Sequence, residues 1–230
     1  MIVQYFAFCA FINSRAMIAV IKGDIVASRK IEDQEVWLRP LKDLLAKWGS
    51  TPEQWEVVWG DFFQIEIPNP ADALQVAFEI KTLIKKTKPP TSQKKMSVID
   101  VRMAIGVGEK TYSGKRISES NGTAYIYSGE KFDTLKKENA TIGIKSAWQT
   151  FDEEMNLYLK LTNTLMERWT VSSAELMDIV LQNPGVTQEE IGRQLGIKQS
   201  GVSGRWSRAC IDEILKVEGV FRKKIELLLP

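Results

Sequence analysis

The chain has 230 residues, of which 31 are basic, 29 acidic and none histidine, leaving a formal net charge of +2. That near balance excludes a surface basic enough overall to coat nucleic acid or an anionic membrane, so any such face has to be local. With no histidine and only Cys9 and Cys210 as cysteines, Cys/His zinc sites, Ser-His triads and histidine general bases are ruled out together, and catalysis would fall to carboxylates or a metal.

The first thirteen residues, MIVQYFAFCAFIN, are apolar and uncharged. They are too short for a membrane span and lack the basic start of a signal peptide, so the expectation is a cytosolic chain without a membrane span. Three readings of residues 1–16 stay open: a stretch ahead of a true start at Met17, an extra edge strand, or a membrane-proximal anchor. Met17 to Ile21 is a continuous apolar run suited to a buried strand, and KGDIVASR follows it. From Glu32 to Trp48, Val36, Leu38, Leu41, Leu44, Leu45 and Trp48 recur at helical spacing, and Gly49, Ser50 and Pro52 end the pattern.

VVWGDFFQIEI, residues 57–67, sets alternating apolar residues on both sides of Gly60-Asp61, which predicts a hairpin from Trp55 to Ile67. A second amphipathic helix is expected from Ala71 to about Lys86, and the polar, proline-containing KTKPPTSQKKMS after it reads as an exposed loop. Val101, Met103, Ile105 and Val107 alternate as in a strand, NGTAYIYSGEKFDTLKK reads as a turn and a helix, and TIGIK as a short strand. The order β-α-β-β-α-β-(loop)-α-β predicts an α+β sandwich, with helices laid on a sheet that contains an antiparallel hairpin. Past Asn156 the strand signals stop. An all-helical second domain is expected to begin between Leu157 and Thr170, dividing the chain into 17–156 and 157–230.

Two Gly-Asp steps carry the first candidate site, Gly23-Asp24 after the first strand and Gly60-Asp61 in the hairpin. If the hairpin lies beside strand one, both carboxylates reach one sheet edge, where a pair of acids holds Mg²⁺ against phosphates. The alternative is ordinary turn chemistry, with each aspartate serving its own backbone. Arg29, Lys30 and Arg102 are available for phosphate contacts or are plain surface charge, and SESNGTAYIYSGE is either a loop that closes over a ligand or a simple connection.

From Met17 to about Ile144 the sequence resembles the palm-type fold of class III nucleotidyl cyclases. The likeness rests on Asp24-Ile25 after the first strand, Gly60-Asp61 in a hairpin reached through a helix, and RMAIGVGE from Arg102 to Glu109. It implies a ferredoxin-like palm sandwich in which Asp24 and Asp61 hold Mg²⁺ or Mn²⁺ and the backbone of Ile25 to Ser28 wraps phosphates, with Arg29 and Arg102 beside the ligand. The chain departs from that family where an Asn and an Arg would follow Gly122 by four and eight residues; Ile126 and Glu130 stand there. The purine-reading place in the hairpin is Val57. Metal binding is therefore expected to outlast the cyclase reaction, which lacks its charge-stabilising arginine.

The second candidate site is TQEEIGRQLGIKQSGVSGRWSRA, Thr187 to Ala209. Thr187 with Glu190 forms a capping-box pattern, Gly196 permits a tight turn, and Ile191, Leu195, Ile197 and Val202 are placed to pack two helices together. A helix before it, Ser172 to Gln182, is broken by Asn183, Pro184 and Gly185, which completes a three-helix unit of the helix-turn-helix kind. The recognition helix would begin near Lys198 and show Gln199, Ser200, Ser203, Arg205 and Arg208. Lys198 to Arg208 holds three basic residues and no acid. Gln and Arg suit base edges, and Ser and Lys suit phosphates; a helix-turn-helix used only for protein contacts is the alternative.

GDIVASR, GDFFQIEI, VRMAIGVGE, NGTAYIYSGE and a terminal helix-turn-helix in one chain resemble the SatD family of bacterial proteins, over essentially everything after Met17. That resemblance implies a link to acid and stress adaptation, while the basic, acid-free helix joined to the carboxylate pair points to a DNA-binding regulator. Three functions follow: a regulator whose palm-like part binds a nucleotide or metal-phosphate ligand, acting as a homodimer; a metal-dependent nucleotidyl cyclase or transferase with atypical residues; and an inert palm scaffold for dimerisation.

Overall fold

A computed structural model describes residues 16–88 and 99–229. The expected extension over 1–16, apart from Ala16, and most of the 86–97 connector lie outside the described residues.

Strand β1, Met17–Val26, is the centre of a mixed five-stranded sheet of order β2-β3-β1-β4-β5. Its neighbours are β3, Phe62–Ile67, and β4, Asp100–Glu109, both antiparallel to it. Strand β2, Trp55–Val58, closes the hairpin antiparallel to β3, and β5, Ile142–Lys145, runs parallel to β4. A central strand covered on both sides has to be apolar on both, which explains the unbroken Met17–Ile21 run. Ala19, Ile21 and Ile25 join the main core, whereas Ile18 and Val20 pack with Ile117, Ala124 and Tyr125 in a second cluster.

Helices α1, Glu35–Leu45, and α2, Ala73–Lys86, supply the main-core side through Trp37, Leu41, Leu74, Phe78 and Ile84. Helix α1 is shorter than the apolar spacing predicts. Its start is set where Asp33 accepts the Glu35 N–H at 3.0 Å, and Ala46 to Trp48 continue only as turns. Helix α3, Thr123–Glu138, covers the other face. It approaches β4 over two glycines: a Cβ on Gly106 would lie 2.2 Å from the Ala124 carbonyl oxygen and 2.3 Å from the Ser128 nitrogen. Gly106→Ala is therefore expected to push α3 off the sheet and cost about 1–3 kcal/mol, read as a lower urea midpoint.

Helix α4, Gln149–Glu167, runs unbroken across residues 156 and 157, where a domain boundary was expected. Its first half belongs to the sheet. The Asn156 amide accepts from the Ile144 N–H at 2.9 Å and donates to the Ile144 carbonyl at 2.8 Å, so a side chain takes the place of a sixth strand at the β5 edge. Its second half starts the helical part, followed by α5, Val171–Gln182, α6, Gln188–Leu195, α7, Gln199–Ala209, and α8, Ile211–Leu228. The main core is shared by both parts, reaching from Ile21 and Trp37 to Leu181, Ile191 and Phe221. Ion pairs Lys86–Asp178 at 2.6 Å and Lys224–Glu154 at 2.8 Å join them at the surface. Arg222 of α8 ties Asp72 and Gln75 to Glu218. Among the described residues no helix is long and apolar enough to cross a membrane.

Candidate functional site

The antiparallel register sets Asp24 opposite Phe62 of β3 and Arg102 of β4. Asp61 lies in the β2–β3 turn, which Trp59 and Gly60 make with left-handed φ values of 54° and 88°. The Asp61 carbonyl accepts the Ile25 N–H at 3.0 Å, and its carboxylate accepts the Ser28 hydroxyl at 3.2 Å. The two carboxylates thus meet at one end of the sheet. Asp61 serves the turn and still presents an oxygen towards Ser28.

Asp24 is the less satisfied of the pair. Its Oδ1 is buried without a hydrogen-bond partner, and its Oδ2 is 3.9 Å from an Arg102 guanidinium nitrogen. Burial pushes its carboxyl above the usual aspartate range, Arg102 pulls it back, and Asp61 pushes it further up. A buried carboxylate oxygen without a donor, next to a second carboxylate, is a donor arrangement that suits a divalent cation of the Mg²⁺ or Mn²⁺ type. Without the cation that arrangement is unfavourable. Asp24→Asn is thus expected to raise the melting temperature of the metal-free protein at neutral pH. The sign follows from the raised pKa: below the unfolded value, about 3.9, both states are protonated and the two proteins differ least. As pH climbs through the folded value the wild type must hold a buried charge, so the gap between the melting temperatures should widen.

The Ile25 N–H, expected to face phosphate, is taken by Asp61, and the Ile25 side chain is buried. Ile25 is a framework residue here. The left-handed Ala27, φ 61°, turns the chain into a short 3-10 helix over Ser28–Lys30, where Ser28 is buried and Arg29 and Lys30 are exposed. Arg102 stands by Asp24, with a guanidinium nitrogen 3.9 Å from its Oδ2. Of the two positions that depart from the cyclase pattern, Ile126 is exposed on α3 and Glu130 pairs with Lys145 at the end of β5 at 2.6 Å. Lys22 was not foreseen. It lies two residues before Asp24 on the same strand face, donates to the Tyr125 carbonyl at 3.3 Å, and has its amine held below the usual lysine range by burial, against the pull of Asp133. The two-residue period of a strand would have found it.

The second site is a three-helix unit. Thr187 and Glu190 form the reciprocal cap of α6: Glu190 accepts the Thr187 N–H at 2.8 Å and Thr187 Oγ1 accepts the Glu190 N–H at 3.2 Å. Gly196 makes the turn at φ 65°, and Ile191 and Val202 are fully buried between α6 and α7. Gly192 is required by contact, since a Cβ there would be 2.8 Å from the Ile197 carbonyl oxygen. Helix α7 packs on α5 and α6, and the Trp169 indole donates to the Ala209 carbonyl at 2.9 Å, fixing its far end. Lys198 caps α7. Lys198, Gln199, Ser200 and Arg208 are exposed, while Ser203 and Arg205 are half-buried. The Gln199 amide is held by Gln188 at 2.9 Å.

The acid pair and α7 are therefore separate sites on different elements. In comparison with known proteins, no family model and no curated protein matches the chain.

Proposed function

We propose that the chain is a cytosolic DNA-binding regulator of the SatD type, whose palm-like sheet takes a nucleotide or another phosphate ligand through Mg²⁺ or Mn²⁺ at Asp24 and Asp61. The observation that carries the DNA-binding part is α7 with its first residues, where Lys198 and Arg208 are exposed, Arg205 is half-buried, and no acid occurs from residue 198 to 208. On a chain with a net charge of only +2, that helix is a local cation source of the shape that enters a major groove. Leu227, 76% exposed near the end of α8, supports a homodimer, the form that doubles such a helix for two half-sites. The test is fluorescence anisotropy with mixed-sequence duplex DNA between 50 and 200 mM salt. Three phosphate-neutralising contacts per protomer give a log-log slope of about −2.7 for each engaged protomer. Binding that ignores salt, or none at all, removes the reading.

A second reading, metal-dependent nucleotidyl transfer, is favoured by the unpartnered Asp24 Oδ1. Product formation from nucleoside triphosphates with Mn²⁺, absent in Asp24→Asn, would establish it in place of ligand sensing. The metal would supply charge neutralisation on the phosphates, while Ser28 holds Asp61 and Arg102 holds Asp24 in place.

A further inference from the structure

A cleft of ≈ 680 Å³ opens between α1, α2 and α5, lined by no residue of the acid pair or of α7. Its floor is one stripe of α2, Gln75, Glu79, Leu83 and Lys86, at the spacing that brings residues of a helix onto one side. One wall is Leu44 and Trp48 from the sheet part; the opposite wall is Leu181 and Pro184, at the end of the first helix of the three-helix unit. A molecule seated there touches both parts of the protein at once. A neighbouring hollow of ≈ 370 Å³ shares Gln75, Leu181 and Pro184 and adds Trp206 of α7. The two hollows together lead from α1 to the inner side of the reading helix.

The charge on the cleft floor selects the ligand. Glu79 takes its hydrogen bonds from neutral groups only, the Trp48 indole N–H at 3.1 Å and the Gln75 amide at 2.9 Å. No cation pairs with it among the described residues. Lys86 is already engaged by Asp178 at 2.6 Å. Glu79 is thus a fixed, half-buried anion, oriented by two donors, next to an indole and the apolar Leu44, Leu83 and Leu181. A carboxylate beside an aromatic ring and an apolar wall accepts an ammonium group carried on an apolar body. The volume lies within the range of small-molecule sites.

We propose that this cleft binds a small organic ammonium ion, with the cation on Glu79 and the apolar body between Leu44, Leu83 and Leu181, and that it is an effector site independent of the acid pair. Occupancy ties α1 to α5, and α5 packs directly against α7.

Isothermal titration with 2-phenylethylamine and tryptamine, beside the uncharged 2-phenylethanol and the anionic phenylacetate, tests it. The amines are expected to bind about tenfold more tightly than the alcohol, the advantage of a charge-assisted contact, and phenylacetate not at all. Glu79→Gln keeps an acceptor for Trp48 and should bring the amines down to the level of the alcohol, while Leu83→Trp, which fills the cleft, should abolish binding of both. Asp24→Asn should bind as wild type does. Equal binding of amine and alcohol, unchanged amine binding in Glu79→Gln with its melting temperature preserved, or no binding of either amine would each overturn the proposal. Loss of amine binding in Asp24→Asn would place the ligand at the acid pair instead and overturn it as well.

Discussion

Replacing Lys198, Arg205 and Arg208 together with alanine is expected to weaken binding to duplex DNA by about a thousandfold at 0.1 M salt and to flatten its salt dependence. Each side chain removed is a charged hydrogen-bond donor worth about 1.5 kcal/mol against a phosphate or a guanine edge, and three of them sum to about 4.5 kcal/mol. The slope should fall by about one unit for each residue that met a phosphate, and by less for one that met a base. Among the described residues none of the three takes part in an ion pair, and the fully buried Val202 and Ala209 hold the helix in place, so the melting temperature should stay near that of wild type. Lys30→Ala, exposed in the short 3-10 helix after β1, serves as the control with full binding. Gln199→Ala is a separate case: its amide is tied to Gln188, so its removal loosens the α6–α7 turn as well as changing the base-facing surface.

Asp100→Ala is expected to be the most destabilising single change among those considered, costing about 3–5 kcal/mol in a urea titration. Lys81 is fully buried in α2, and Asp100 at the start of β4 is the carboxylate that pairs with it, at 2.7 Å. Thr141 accepts from the same amine at 2.8 Å and bonds in turn to Asn163 of α4, while Lys85 reaches Asp100 at 3.5 Å. Burial holds the Lys81 amine below the usual lysine range, with Asp100 opposing that shift. Removing Asp100 leaves two lysines facing each other without the carboxylate that pairs with both, and with only the weaker pull of Glu167 on Lys81. Lys81→Met removes the buried cation together with its need for a partner and should cost far less. A loss in Lys81→Met as large as in Asp100→Ala would mean that packing, and not the stranded charge, sets the effect.

The strands were legible because their signals are local. Residues 57–67 alternate about a Gly-Asp turn, and the hairpin forms where that pattern places it. The Thr187–Glu190 cap was legible for the same reason, since both partners lie within one turn of helix. What escaped depends on contacts between residues far apart in the chain. Helix α4 carries a sheet-edge residue, Asn156, and core residues of the helical part, Leu159 and Met166, on one uninterrupted helix; only the position of β5 shows that its first half belongs to the sheet. The polar network of Lys81, Asp100, Thr141 and Asn163 joins α2, β4 and α4 and has no spacing rule behind it. At the acid pair, the residue types and their meeting at one sheet end were readable. The loss of the Ile25 N–H to Asp61 and the unpartnered Asp24 Oδ1 were not, because both depend on how residues far apart in the chain meet.

Helices α7 and α8 share a single left-handed residue, Cys210, at φ 53°. Arg222, twelve residues further along α8, is fastened to Asp72 and Gln75, about 18 Å away along the helix axis. Mechanically α8 is a rigid rod with a pivot at one end and a grip on the sheet part at the other. Over that length a swing of about 10° carries one end roughly 3 Å relative to the other, more than the tolerance of a hydrogen bond to a base edge. If α7 reads DNA as proposed, the motion between a reading and a non-reading position is small, and the grip that limits it is shared by Arg222, the buried Phe221 and Ile225, and the Lys224–Glu154 pair.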